Sequence, residues 1–225
     1  MSEEHTNNLM QQSESLIPEL REHLHQDSNG GLWVKHRYVV TIYVPGSNPL
    51  NAMTNRTYHQ RAAAAKRLLG ERQWDHYMFM IEKPFLLDCF VEIEPGLPDE
   101  DYWRLLGSIW QRTEFIASDL TVWSRLWRSD RKGREHAMDE GERKALAEMP
   151  DTLHIYRGID RRTKKAKRRL AWTLDRKTAE WFSTRMETGY STVLSGHCQR
   201  SDVLAYFTGR NETEIVIPPE MVVLE

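Results

Sequence analysis

Three short segments in the last third of the chain constrain its fold more than any other feature. They are residues 154–158 (HIYRG), 170–175 (LAWTLD) and 211–217 (NETEIVI). Each is rich in β-branched, aromatic or aliphatic residues, which favour strands. Further strand-like runs lie at residues 191–195, 202–207 and 221–224. This density of short strands indicates a small β-rich core.

One helix is predicted between these strands. Asp175 is the expected N-cap, and the helix runs to about Thr184 and buries Ala179 and Phe182. The pair His197 and Cys198 is isolated, so we interpret it as part of a loop rather than as metal ligands or a nucleophile.

The first segment carries an arginine where a ligand site is expected. Arg157 ends the predicted strand, and Gly158 lets the chain turn with its backbone close to a ligand. A guanidinium can bridge a pyrophosphate with two parallel hydrogen bonds, which an ammonium cannot do. The alternative is an exposed arginine at the end of a strand.

The third segment places two carboxylates two residues apart. In an extended strand, Glu212 and Glu214 share one face, so burial of Ile215 and Ile217 turns both acids toward one cleft. Two such acids can have different roles: one can stabilise an oxocarbenium-like centre, and the other can accept a proton. The alternative is an exposed hairpin with two solvated acids.

In this order, Arg157, Thr173 and the Glu212-Thr-Glu214 motif resemble the R-S-E signature of mono-ADP-ribosyltransferases. The resemblance covers about residues 150 to 225, and Ala171 stands where the family commonly has a first hydroxyl residue. It implies an α+β fold, with a split β-sheet core of two packed sheets and an N-terminal, largely helical region. It also implies NAD as the substrate, with no metal. The residues that it assigns to NAD binding are Tyr156, Arg157, Gly158, Trp172, Thr173 and Phe182.

The same resemblance assigns the catalytic roles. It implies that Arg157 contacts the NAD phosphates and that the Gly158 backbone holds the nicotinamide amide. Glu214 would bind the 2′-hydroxyl of the nicotinamide ribose, Glu212 would face the acceptor, and Thr173 would orient the catalytic glutamate. A metal is not required, because nicotinamide leaves from a pyridinium that is already cationic.

The acceptor is a macromolecule, and two classes stay open. Glu-x-Glu implies a protein arginine. A run with seven basic residues in nine positions instead allows an RNA or DNA base, because such a run can bind phosphates. The alternative is that the run forms a solvated loop, or a loop whose positive charge is neutralised by an acidic arm or an antitoxin-like partner. The basic residues are Arg161, Arg162, Lys164, Lys165, Lys167, Arg168 and Arg169.

The upstream sequence is divided into three parts. We predict a polar, acidic arm over residues 1–30, a mixed α/β extension over 31–97 and a helical subdomain over 98–150. The core follows over 151–225, and residues 98–225 are expected to form one catalytic domain. The extension contains predicted strands at 32–44 and 84–94 and a helix at 58–69, and the subdomain contains three helices.

The helical part resembles uncharacterised bacterial and phage-associated proteins with the same R-S-E core, which implies a toxin or defence effector. A catalytically inactive transferase fold that serves as a binding module is the remaining alternative. The net charge is −2, so no whole-protein field for nucleic acid or anionic lipid is expected. With only two cysteines, a polar N-terminus and no long apolar run, we expect a cytoplasmic protein with no membrane partner.

Overall fold

The computed structural model describes residues 14–113, 119–160, 169–185, 189–209 and 212–225. The chain divides into two units, residues 1–95 and 96–225. Its fold class is α+β, as predicted, with one antiparallel sheet of three strands and another of six. No described helix is long and apolar enough to cross a bilayer.

The first unit joins a small sheet to helices. Its strands are β1 (Leu24–Gln26), β2 (Leu32–His36) and β3 (Val39–Ile42). Its helices are α1 (Pro18–Arg21), α2 (Asn48–Gly70), α3 (Trp74–Met80) and α4 (Leu86–Ile93). The predicted strands at 32–44 are therefore present, and the helix predicted at 58–69 begins ten residues earlier than expected.

For residues 14–30, the prediction of a polar, acidic arm is corrected, because this segment is part of the folded first unit. Leu16 and Leu20 are buried against Val34 of β2 and Val39 of β3, and β1 adds a third strand to the sheet. Asn55 also fixes this segment, because its side chain accepts a hydrogen bond from Ile17 N and donates one to Ser15 O. The rest of the predicted arm, residues 1–13, lies outside the described residues.

The predicted strand at 84–94 is wrong, because this segment contains helix α4. Its apolar residues looked like a strand, but the buried ones fall at helical spacing. Asp88 and Glu92, by contrast, are not buried. An amphipathic helix explains that pattern. The buried side chains are those of Leu86, Leu87, Cys89 and Phe90.

The second unit begins with the three helices that were predicted there. They are α5 (Asp99–Arg112), α6 (Leu120–Trp127) and α7 (Glu140–Glu148). Tryptophans from α5 and α6 form the core between them. The Trp110 ring lies perpendicular to those of Trp123 and Trp127, with ring centroids 5.0 and 5.5 Å apart. Edge-to-face packing of this kind stabilises a core.

Six strands then build an antiparallel sheet. They are β4 (Thr152–Asp160), β5 (Ala171–Thr173), β6 (Ser191–Gln199), β7 (Ala205–Phe207), β8 (Glu214–Val216) and β9 (Val223–Leu224). Their order across the sheet is β7-β8-β5-β4-β6-β9. Helix α8 (Arg176–Thr184) follows β5 and has Asp175 as its N-cap, as predicted.

This sheet is continuous in its hydrogen bonding, where two packed sheets were expected. It is nearly divided, however, between β4 and β5. These two strands share one residue pair, Tyr156 with Thr173, whereas β4 and β6 share nine pairs. The two halves, β7-β8-β5 and β4-β6-β9, therefore separate beyond Tyr156.

Two loop predictions in this unit are corrected. The first strand does not end at Arg157 but continues through Gly158 to Asp160. His197 and Cys198 lie inside β6 rather than in a loop. Long-range pairing explains both differences, because β4 and β6 support each other along their full length.

Candidate active site

A cavity of about 300 Å³ opens where β4 and β5 separate. All eight residues that the sequence indicated for catalysis and NAD binding line it. They are Tyr156, Arg157, Gly158, Trp172, Thr173, Phe182, Glu212 and Glu214. Residues that the sequence analysis missed complete the wall: Trp110, Gln111, Thr113, Ala171, Ala179, Arg185, Phe207 and Gly209.

Arg157 bridges the opening between the two half-sheets. A continued ladder would pair it with Trp172, but pairing stops after Tyr156 and Thr173. Instead, the guanidinium Nη1 donates a hydrogen bond to the Ala171 carbonyl. The Arg157 side chain thus links β4 to β5 beside the cavity, where backbone pairing between the two strands has stopped.

The electrostatic environment of Arg157 favours an anion. Its Nε is buried and has no hydrogen-bond partner among the described residues. Burial, and then the positive charge of Arg169, lower the pKa of the guanidinium to about 10, while Glu214 opposes the shift. The group stays charged at neutral pH. A bound anion would satisfy Nε and offset the cost of burying the cation.

Glu214 belongs to a row of residues that crosses four strands. Tyr156 pairs with Thr173, Thr173 with Glu214, and Glu214 with Phe207. Directly opposed residues in antiparallel strands project from the same face of a sheet. The Glu214 carboxylate therefore projects on the cavity face, between a hydroxyl group on one side and an aromatic ring on the other.

Glu212 reaches the cavity by a different route from the predicted strand alternation. It precedes β8, and Thr213 between the two acids has a φ of 43°, in the left-handed region. This conformation is unusual for a β-branched residue. Val216 is buried as well as Ile215, so β8 has no solvated face. The two acids share a cavity because of the Thr213 backbone.

Thr173 stabilises this bend through the main chain. Its hydroxyl donates to the Glu212 carbonyl at 2.5 Å and accepts from Asp175 N at 3.1 Å. Thr173 Oγ1 also lies 3.3 Å from Thr213 Oγ1. The prediction was that Thr173 orients a catalytic glutamate. In the structure, its hydroxyl holds the backbone of Glu212, one of the two acids.

Gly158 is required for packing rather than for a turn. A Cβ atom at this position would lie 2.2 Å from the Ala179 carbonyl oxygen and 2.5 Å from Ser183 N. Helix α8 therefore lies directly on β4. This contact brings Phe182 to the cavity wall, although Phe182 is only partly buried and not in the core as predicted.

Arg185 adds a second cation just after α8. Its guanidinium lies over the rings of Trp181 and Phe182, at 5.5 and 5.7 Å from their centroids. Such cation–π contacts hold a guanidinium over aromatic rings. Nothing in the local sequence distinguishes Arg185 from other surface arginines, so its place in the site was not predictable.

Trp172 is both a core residue and part of the cavity wall. It is 3% exposed and lines the cavity, and its indole Nε1 donates to the Arg169 carbonyl at 3.2 Å. Of the basic run, Arg169 alone is among the described residues, and burial lowers its pKa. The others, residues 161–168, lie outside the described residues, so their predicted acceptor contacts stay a prediction.

No protein-family model, curated protein or solved structure matches this chain. Among the described residues, no group of three or more His, Cys, Asp or Glu side chains could hold a metal ion. The cavity itself combines a half-buried arginine, two carboxylates and an aromatic wall.

Proposed function

We propose that this chain is an NAD-dependent mono-ADP-ribosyltransferase. The observation that carries the proposal is the convergence of eight residues, chosen from sequence segments up to 58 positions apart, on one cavity. The order Arg157, Thr173, Glu212 and Glu214 along the chain resembles the R-S-E signature. The opening between β4 and β5 supports a split-sheet core, in which NAD lies between the two halves.

The cavity supplies groups that suit the pyrophosphate and the nicotinamide ring of NAD. Arg157 is a half-buried cation whose buried Nε has no hydrogen-bond partner among the described residues, which suits the pyrophosphate. Phe182 and Trp172 provide aromatic surface for the nicotinamide ring. Arg185 adds positive charge on the same wall for the second phosphate.

The reaction exchanges one bond at the ribose C1′ atom for another. The bond from C1′ to the nicotinamide nitrogen breaks, and its electron pair leaves with nicotinamide. Glu214 stabilises the developing ribosyl cation through the 2′-hydroxyl. An acceptor nucleophile then bonds to C1′, and Glu212 takes the proton that the nucleophile loses.

The proposed acceptor is a protein arginine, because Glu212 is the first acid of a Glu-x-Glu motif. We propose a role as a toxin or defence effector, for which an antitoxin-like partner would be a natural regulator. Modification of a nucleic-acid base stays an outcome of the test below rather than a second proposal.

The test is incubation of the purified protein with labelled NAD and a bacterial lysate. We expect nicotinamide release and label on macromolecules, and we expect Glu214→Gln to lower both by roughly a hundredfold or more. Glu180→Gln is the matched control, because Glu180 lies exposed on α8 in an ion pair with Arg176. It should keep full activity.

Digestion of the products identifies the acceptor class. Label that is lost on protease treatment supports a protein acceptor, and loss on nuclease treatment transfers the proposal to nucleic acid. The absence of Glu214-dependent nicotinamide release, with Glu214→Gln folded by circular dichroism, would contradict the enzyme proposal and favour a binding module.

A further inference from the structure

Glu142 is a buried glutamate outside the signature. It is 5% exposed and lies in the first turn of α7. One of its oxygens, Oε2, accepts from Asp139 N at 3.0 Å, while Asp139 Oδ1 accepts from Glu142 N at 2.8 Å. This reciprocal pair is a capping box, which satisfies the N-terminus of the helix. It uses one of the two carboxylate oxygens.

The other oxygen leaves the helix and binds a distant part of the chain. Glu142 Oε1 accepts from Thr208 N at 2.9 Å and lies 3.5 Å from Thr208 Oγ1. Thr208 directly follows β7 and begins the connection to β8. A charged acceptor strengthens such a bond. Helix capping does not require this second contact.

The connection that Thr208 begins contains Glu212. Its far end is held by the Thr173 hydroxyl on the Glu212 carbonyl, and Glu212 N donates to the Gly209 carbonyl at 3.3 Å. This main-chain bond joins the described residues on either side of positions 210 and 211. The Glu142 and Thr173 side chains therefore hold the described residues at the two ends of the connection, Thr208 and Glu212.

We infer that Glu142 is a positioning residue for Glu212. Its carboxylate holds the Thr208 main chain and thereby places the acceptor-facing acid in the cavity. Glu214 is held by the ladders of β5 and β7 on both sides, whereas Glu212 precedes β8 and lies outside these ladders. Glu142 should therefore control transfer to the acceptor more than cleavage of NAD. This role rests on the proposed function.

Two variants separate positioning from capping. Glu142→Ala removes the bond from Asp139 N to the Glu142 side chain and the Thr208 anchor, whereas Asp139→Ala removes only the other bond of the capping box, from Glu142 N to the Asp139 side chain. We expect both variants to lose thermal stability, and Glu142→Ala to lose more, because it also leaves Thr208 N without this acceptor. We expect Glu142→Ala alone to speed hydrogen exchange of the Thr208 amide. It should also reduce label transferred per nicotinamide released by roughly ten- to a hundredfold, the scale of a small misplacement of a reacting group.

Thr208→Ala is a second control. It keeps the main-chain N–H and loses only the 3.5 Å hydroxyl contact, so its transfer ratio should match that of the wild type. Equal Thr208 exchange in the Glu142→Ala and Asp139→Ala variants would overturn the inference. Faster exchange with an unchanged transfer ratio would also overturn it.

The failure of the proposed function has a different signature. A wild-type protein that releases no nicotinamide removes the transferase proposal, and the role of Glu142 in transfer falls with it. If the wild type releases nicotinamide but Glu142→Ala transfers label normally, the transferase proposal stands and only the inference about Glu142 fails.

Discussion

Tyr156 and Thr173 form the one backbone pair that joins β4 to β5. Beyond this pair the strands separate, and the Arg157 side chain, bonded to the Ala171 carbonyl, occupies the gap. The pair also begins the row that leads through Thr173 to Glu214. One point of contact therefore places the cation and the acid of the candidate site on the same opening.

Arg157→Lys keeps the charge but removes the planar, branched donor. We expect NAD affinity to fall by roughly ten- to a hundredfold, because a hydrogen bond to a charged group contributes about 1.5–3 kcal/mol. Isothermal titration calorimetry with NAD measures this change. Arg176→Lys, on the exposed face of α8, is the matched control and should bind as the wild type does. Equal affinity in the two variants would contradict a phosphate role for Arg157.

Gly158→Ala should destabilise the second unit. The added methyl group would meet the Ala179 carbonyl at 2.2 Å, so α8 must move away from β4. Overpacking of this kind costs about 1–3 kcal/mol of unfolding free energy, which urea denaturation can measure. Gly96→Ala is the control, because no atom lies within 4 Å of its added Cβ. A Gly158→Ala protein as stable as the Gly96→Ala protein would refute the close helix–strand contact.

His36 should make the first unit sensitive to acid. Burial, and then the charges of His23 and Arg37, lower the pKa of His36 from 6.5 to about 4. Its Nδ1 accepts a hydrogen bond from Tyr38 N at 3.1 Å, which requires the neutral ring. Between these pKa values the unfolded chain binds the extra proton, so the unfolding free energy falls as the pH drops from about 6.5 to 4.

Urea denaturation at pH 7, 5.5 and 4.5 tests this dependence. A His36→Gln variant should lose part of the decrease, whereas His25→Gln, at an exposed position of β1, should retain it. An identical pH profile in His36→Gln and the wild type would show that His36 is not the titrating group.

Local patterns were sufficient for several elements. The three helices predicted over residues 98–150 are present, and Asp175 predicted the start of α8. These signals succeed because caps and amphipathic periodicity depend on residues within a few positions of each other. In residues 84–94, the apolar residues fit both the helical and the strand periodicity. The prediction of a strand failed there, and the structure contains α4.

The candidate site divides in the same way. The resemblance to the R-S-E signature, which depends on residue type and order along the chain, was enough to select Arg157, Thr173, Glu212 and Glu214. The sequence could not show that Thr213 turns Glu212 into the cavity, or that Gly158 admits α8 instead of making a turn. Both features depend on packing against segments that are distant along the chain.

The sequence by itself therefore determined the fold class, most helices and eight of the residues that line the candidate site. The tertiary structure alone decided that β4 and β5 separate, that α5 and its C-cap Thr113 contribute to the wall, and that Glu142 anchors Thr208. The physical reason is the distance along the chain between the residues that interact. A hydrogen bond between residues 66 positions apart leaves no periodic trace along the chain, because its geometry exists only after the intervening elements have packed.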